Sequence, residues 1–312
     1  MRLLHEEPDF ADLLVVTGRK LSIDPSLVEK DYWIMQALWG LQQLGKTFEL
    51  KGGTSLSKGF GLIHRFSEDI DIRIEPAAAL PVGPNHDKAQ HAAARKAFYD
   101  DLAKTITIPG FTSAERDTAF DDAKFRSGGV RLLYKGVNPL PKGVKEGVLL
   151  EAGFDQAAPN RPCDISSWAY DAALAAGLTG LVDNRALKAA CYEPGYTLVE
   201  KLQTISTKYR RQQQTGEMPQ NFMRHYYDVY CLLDDVGVQA FIGSPNYIAH
   251  KARRFPAADE KDIAKNEAFV LSDPAVRGAY KSAYIATSAL YFRGQPDFDE
   301  LLQRIRRNAS RL

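Results

Sequence analysis

The chain has 312 residues, 45% of them apolar and 25% charged, enough to bury a real core and to form two domains of ordinary globular composition. Lys and Arg number 40 against 39 Asp and Glu, a formal charge of +1, so no global field draws the chain to nucleic acid or membrane and any anion must be met by local clusters. Three widely spaced cysteines without metal-ligand spacing, an N-terminus that turns acidic too early for a secretory leader, and the lack of a long apolar run predict a cytoplasmic protein with reduced thiols and no membrane partner.

Residues 8 to 45 read as helical. Asp24 before Pro25 is an N-cap with proline at the first helical position, and Leu27, Val28, Ile34, Leu38 and Leu41 form the apolar stripe. Glu29-Lys30-Asp31 interrupts that stripe, and pattern alone favours a solvated face there. A short strand, Thr47 to Lys51, then runs straight into Gly52-Gly53-Thr54-Ser55. Backbone N–H groups of such a turn can hold a phosphate, although the spacing of a P-loop is absent and the glycine pair taken alone favours a plain tight turn. Gly59 and Gly61 lower the helix propensity of the next segment, so the helix predicted from Ser55 to His64 is short.

Asp69-Ile70-Asp71-Ile72 alternates as a half-buried strand does, which puts both carboxylates on one face roughly 6 to 7 Å apart. Asp is depleted from strands, and two on one face repel unless a cation or base pairs with them. The pattern therefore points to metal-assisted phosphoryl or nucleotidyl transfer, where the protein mainly positions groups and neutralises charge.

Beyond a Pro- and Ala-rich loop, Asp87 to Thr105 reads as a helix, and strand character returns at Val130 to Tyr134 and Gly147 to Phe154. Glu151 stands alone in the last of these apolar runs and needs a partner, which makes it a candidate third carboxylate. Pro159 to Pro162 reads as a linker, and the remainder as mainly helical without further strands. Thr197 to Arg211 sets Lys201 and Lys208 on a shared face, and Phe222 to Leu233 is an aromatic helix in which Arg224 and Asp228 stand at i, i+4, the spacing of an intrahelical ion pair. Lys251 to Arg254 and Gln303 to Arg311 are basic clusters, read first as solvated and second as contacts to an RNA backbone. Scattered histidines give no support to nucleophilic hydrolysis.

The order of these pieces resembles the AbiEii/AbiGii-type nucleotidyltransferase toxins, a branch of the DNA-polymerase-beta-like superfamily. The resemblance is carried by Glu29-Lys30-Asp31-Tyr32-Trp33, by Lys51 to Lys58 (KGGTSLSK), by Arg65 to Asp71 (RFSEDID), by Glu200-Lys201-Leu202 and by Arg224 to Val229 (RHYYDV). It implies an α+β fold with N-terminal helices and a mixed-sheet nucleotidyltransferase core over residues 1–157, a helical C-terminal domain over 158–312, and an active site in the cleft between them. It implies catalytic roles for Asp69, Asp71, Lys201 and Asp228, and nucleotide binding by Gly52, Gly53, Thr54, Ser55, Lys58, Arg65, Ser67 and Arg224. Mg²⁺, or Mn²⁺ in its place, would sit on Asp69, Asp71 and Glu151. The implied substrate is an NTP, the implied acceptor RNA at a tRNA 3′ end, and the implied partner a cognate antitoxin protein. The alternatives are a degenerate nucleotide- or RNA-binding module, a transferase that uses the same site to move a nucleotide or phosphate onto a protein hydroxyl, with Ser67 or Ser55 as a self-modification target, and a metal-dependent phosphohydrolase.

Overall fold

The computed structural model describes residues 1–141, 144–155, 157–219 and 221–312. Two compact units emerge, the first comprising 1–60 and 66–192 and the second 61–65 and 193–312. The fold is α+β.

The first unit opens with helices α1 (Phe10–Leu21) and α2 (Pro25–Gln43). Asp24 caps α2 by accepting the Ser26 N–H at 2.9 Å, with Pro25 at the first position as expected. Strand β1 (Phe48–Lys51) turns through the short helix α3 (Gly52–Thr54) into a π-helical turn, Ser55–Gly59, and the chain resumes as β2 (Asp69–Ile74). The helix predicted to reach His64 thus stops at Gly59, where two glycines remove its propensity. Helix α4 (Ala89–Thr105) and strands β3 (Phe111–Asp117), β4 (Ser127–Tyr134) and β5 (Val148–Gly153) follow. The Gly/Pro-rich connection between β4 and β5 lies partly outside the described residues.

The expected linker at Pro159 to Pro162 is instead strand β6 (Asn160–Ile165), and after α5 (Trp168–Ala175) comes a further strand, β7 (Ala186–Tyr192). The first unit therefore runs to Tyr192, past the boundary expected at 157. Proline misled the reading because β6 is an edge strand, where a missing ladder N–H is tolerated. Among the described residues the sheet has seven strands in the order β3-β4-β5-β2-β1-β7-β6. Strands β1/β7 and β2/β5 pair in parallel and the rest antiparallel, a mixed sheet. One face buries Leu50, Ile70, Ile72, Leu150, Ala152, Val130 and Leu132, while alternate positions on β2 stay half-exposed.

The second unit is helical: α6 (Pro194–Thr215), α7 (Arg224–Leu232), α8 (Val236–Phe241), α9 (Pro245–Arg254), α10 (Glu267–Val270), α11 (Pro274–Ile285) and α12 (Phe298–Asn308). Leu198, Leu202 and Ile205 of α6 are fully buried, as their spacing predicts. Tyr226 is a hub of the aromatic core, its ring 5.5 Å from Phe298 and 6.4 Å from Tyr280. Segment 61–65 joins this unit through an isolated bridge from Arg65 to Tyr291, and the His64 N–H donates to the Tyr227 hydroxyl at 3.3 Å. No helix among the described residues is long and apolar enough to cross a membrane.

Candidate functional site

The first unit sets its carboxylates by strand register. Asp69 and Asp71 both occupy the half-exposed face of β2, and Asp71 is in register with Glu151 on β5 and with Lys51 on β1. Residues directly opposite one another share a face, so Glu151 joins the two aspartates there. Among the described residues no group of three or more His, Cys, Asp or Glu is arranged to hold a metal ion.

The glycine turn is built against this carboxylate face. Gly52 has φ +70°, a conformation that L side chains rarely adopt, and a Cβ there would lie 2.0 Å from Asp71 Oδ2. Glycine is thus required twice, by the backbone and by the close approach of the carboxylate. Gly53 and Thr54 are buried, and the Thr54 hydroxyl donates to the Asp69 carbonyl at 2.7 Å, fastening the turn to β2. Ser55 is fully buried. Its side chain faces inward beside Cys191, whose thiol is pushed up to about 12 mainly by burial. Ser67 is half-buried just ahead of the strand.

Glu29, Lys30 and Asp31 correct the expectation of a solvated face: each is at most 2% exposed. The Glu29 carboxylate accepts the backbone N–H groups of Val137 and Asn138 at 2.8 and 2.9 Å. Asp31 pairs with Lys58 at 2.6 Å and accepts the Trp168 N–H at 2.8 Å. Burial raises the Asp31 carboxyl, and Lys58 pulls it partly back. Lys58 also lies 4.1 Å over the Trp168 ring, so its charge braces α2 and α5 against the turn. Burial pushes the Lys30 ammonium down to about 8, while the charges of Glu68 and Asp69 draw it back up. The Lys30 ammonium also donates to the Lys145 carbonyl.

The second unit gathers a separate cluster on α6 and α7. Asp228 is fully buried and takes the Arg65 guanidinium in a two-pronged pair, Nε at 2.7 Å and Nη2 at 2.8 Å, with Lys201 Nζ at 2.9 Å from Oδ2. Burial alone would raise this carboxyl, but Arg65 and Lys201 outweigh it and hold it far below the usual range. Asp228 thus forms a bidentate pair with a residue 163 positions away, which the local i, i+4 spacing does not announce. Arg224 stands one turn earlier on α7, half-buried. The basic clusters engage within the unit: Arg254 lies 3.6 Å from Glu200, Lys251 donates to the Leu312 carbonyl, and Arg304 pairs with Asp234.

A family model described as nucleotidyl transferase AbiEii toxin, type IV toxin–antitoxin system, matches residues 33–304. The chain belongs to the AbiEii family. No curated protein and no solved structure matches it. Membership of AbiEii supports the general class of nucleotidyl transferase and points to a cognate antitoxin. Sequence reasoning missed the burial of Lys30 next to Asp69, and it missed His225, whose Nε2 lies 3.2 Å from Lys208 Nζ. A charged residue within a continuous apolar stripe was the available clue to Lys30, whereas nothing in the spacing marks His225.

Proposed function

We propose that this AbiEii-family chain transfers a nucleoside monophosphate from an NTP to an RNA acceptor, a tRNA 3′ end, as the toxin of a toxin–antitoxin pair. The observation that carries the reading is the Asp71 carboxylate seated against the Gly52 turn, with Asp69 beside it on the same half-exposed strand face. Two strand carboxylates fit Mg²⁺, which is commonly held by one or two carboxylates together with substrate phosphates and water rather than by an all-protein cage. Asp69 and Asp71 would hold the ion, with Glu151 next in register. Bound there, it would offset the charge of the phosphates and of the attacking oxygen.

The acceptor hydroxyl attacks the α-phosphorus, a new P–O bond forms, the α–β bridging bond breaks and pyrophosphate departs. Gly52 and Gly53 offer backbone N–H groups to the phosphates. Thr54 acts through its bond to the Asp69 carbonyl, keeping turn and strand together. Lys201 meets phosphate charge, and Asp228 fixes the direction of its ammonium. Arg65 and Lys58 serve by holding Asp228 and Asp31 in place. Full burial of Ser55 removes it as an exposed target for self-modification.

The test incubates purified protein with Mg²⁺, each α-labelled NTP in turn and total bacterial RNA, beside an Asp69→Ala/Asp71→Ala variant. Label in small RNA with wild type alone is expected. Label on protein instead, or label unaffected by the double substitution, would overturn the proposal.

A further inference from the structure

Two residues suffice to join an antiparallel pair of strands, yet β4 and β5 are joined by residues 135–147. Consecutive buried charges on α2 hold both limbs of this connection. Glu29 accepts the Val137 and Asn138 N–H groups and, at 3.2 Å, the Asn138 side-chain amide, while the Lys30 ammonium donates to the Lys145 carbonyl. A buried charge is costly unless it is bonded, and here the bonds go to a loop. The limbs border a cavity of about 730 Å³ whose lining includes Leu133, Tyr134, Asn138, Pro139, Leu140 and Glu146, within the roughly 300 to 1,000 Å³ range of small-molecule sites. Among the described residues no lysine or arginine lines it, so a phosphate meets no cation there. Apolar walls with one tyrosine, an amide oriented by Glu29 and a carboxylate that can only accept suit a flat ring carrying an amino group.

Sheet register gives the cavity its place. Asp69 lies opposite Leu149, which lies opposite Arg131. Leu133, two residues further along β4, therefore shares the Asp69 face, with its Cα roughly 12 Å away by strand spacing and rise. The glycine turn leaves β1 at this same end of the sheet, because Lys51 is in register with Asp71. The order β3-β4-β5-β2-β1 thus puts turn and cavity on opposite sides of the carboxylate strands β2 and β5. In-line transfer needs that separation, since the attacking and leaving oxygens lie on opposite sides of the phosphorus.

We infer that the cavity beside the 135–147 connection is the acceptor subsite: it seats an amino-bearing nucleobase of the RNA, with Glu146 accepting from the amino group and the ribose hydroxyl turned toward Asp69. The inference rests on the nucleotidyl transfer reading for the acceptor's identity, whereas the fit of the cavity to a base does not depend on it.

The test irradiates the full chain with 2-azidoadenosine and maps the adducts by mass spectrometry. Adducts on cavity-lining residues are expected, and adducts only elsewhere, or none, overturn the subsite. Adenosine should suppress them at about tenfold lower concentration than purine riboside, which lacks the amino group, the scale of one hydrogen bond to a charged acceptor. Glu146→Ala, at an exposed position, should abolish that difference, and Glu146→Gln, which keeps an acceptor, should retain part of it. Equal suppression by the two nucleosides in wild type overturns the role given to Glu146. An unphosphorylated trinucleotide ending in adenosine should also protect the cavity, while α,β-methylene-ATP with Mg²⁺ should leave its labelling in place. Protection by α,β-methylene-ATP alone would give the cavity to the donor base and overturn its assignment to the acceptor. No nucleotide is transferred in this measurement, so its failure leaves the reading of the strand carboxylates standing, and a failure of the transfer assay leaves the cavity's occupant decidable.

Discussion

Removing the Asp228 carboxylate leaves Arg65 and Lys201 buried together without their anion, and breaking a buried pair this way costs about 3 to 5 kcal/mol. Asp228→Ala should lower the urea midpoint accordingly, and a loss below about 1 kcal/mol would contradict the geometry. The sign of the pH effect follows from the depressed carboxyl. Its contribution is fully present above the unfolded-state value of about 3.9 and is lost as pH falls through the lower folded value. Acid unfolding of wild type should therefore show a steep limb below about pH 4 that an Asp228→Asn variant flattens. Asp69 and Asp71 were legible at this scale because strand alternation fixes their shared face. The Arg65 to Asp228 pair was not, since no local pattern joins residues 163 apart.

Helix α2 shows why the Glu29-Lys30-Asp31 run misleads. Period and charge describe one helix face, but each of the three side chains bonds a different distant segment: Glu29 the 137–138 loop, Lys30 the Lys145 carbonyl, and Asp31 both Lys58 and Trp168. Charge inside an apolar stripe marked something unusual, yet partners that arrive from elsewhere in the chain leave no trace in the stripe itself. The turn after β1 has a sharper expectation. Gly52→Ala forces a Cβ onto the Asp71 carboxylate at a positive φ, so it should destabilise the protein by about 1 to 3 kcal/mol and abolish transfer even at temperatures where it remains folded. Wild-type activity in that variant would detach the turn from the chemistry. The strand–turn–strand core was legible because glycine pairs and alternating carboxylates act locally. Strands β6 and β7 were hidden by Pro162 and by pairing set only within the assembled sheet.

At the scale of the molecule, the units do not divide at one point in sequence. The second takes 61–65 from between the glycine turn and the carboxylate strand, along with 193–312. A fragment of residues 193–312 alone carries Asp228 and Lys201 but lacks Arg65, and it loses the bonds that segment makes to Tyr227, Tyr291 and Phe292. It should unfold at lower urea than the same helices do in the intact chain, as monitored by far-ultraviolet circular dichroism. An unchanged midpoint would show that the 61–65 segment is dispensable to the helical unit.

That interleaving also constrains inheritance. A recombination event that exchanged everything after Tyr192 between two diverged relatives would deliver a new Asp228 pocket to an old Arg65, and the five-residue insert would have to suit a host it had never met. Crossovers at this seam should therefore be rarely fixed, and substitutions around Arg65 should be accompanied by compensating ones on α7, so that the two stretches descend as one heritable block despite the distance between them.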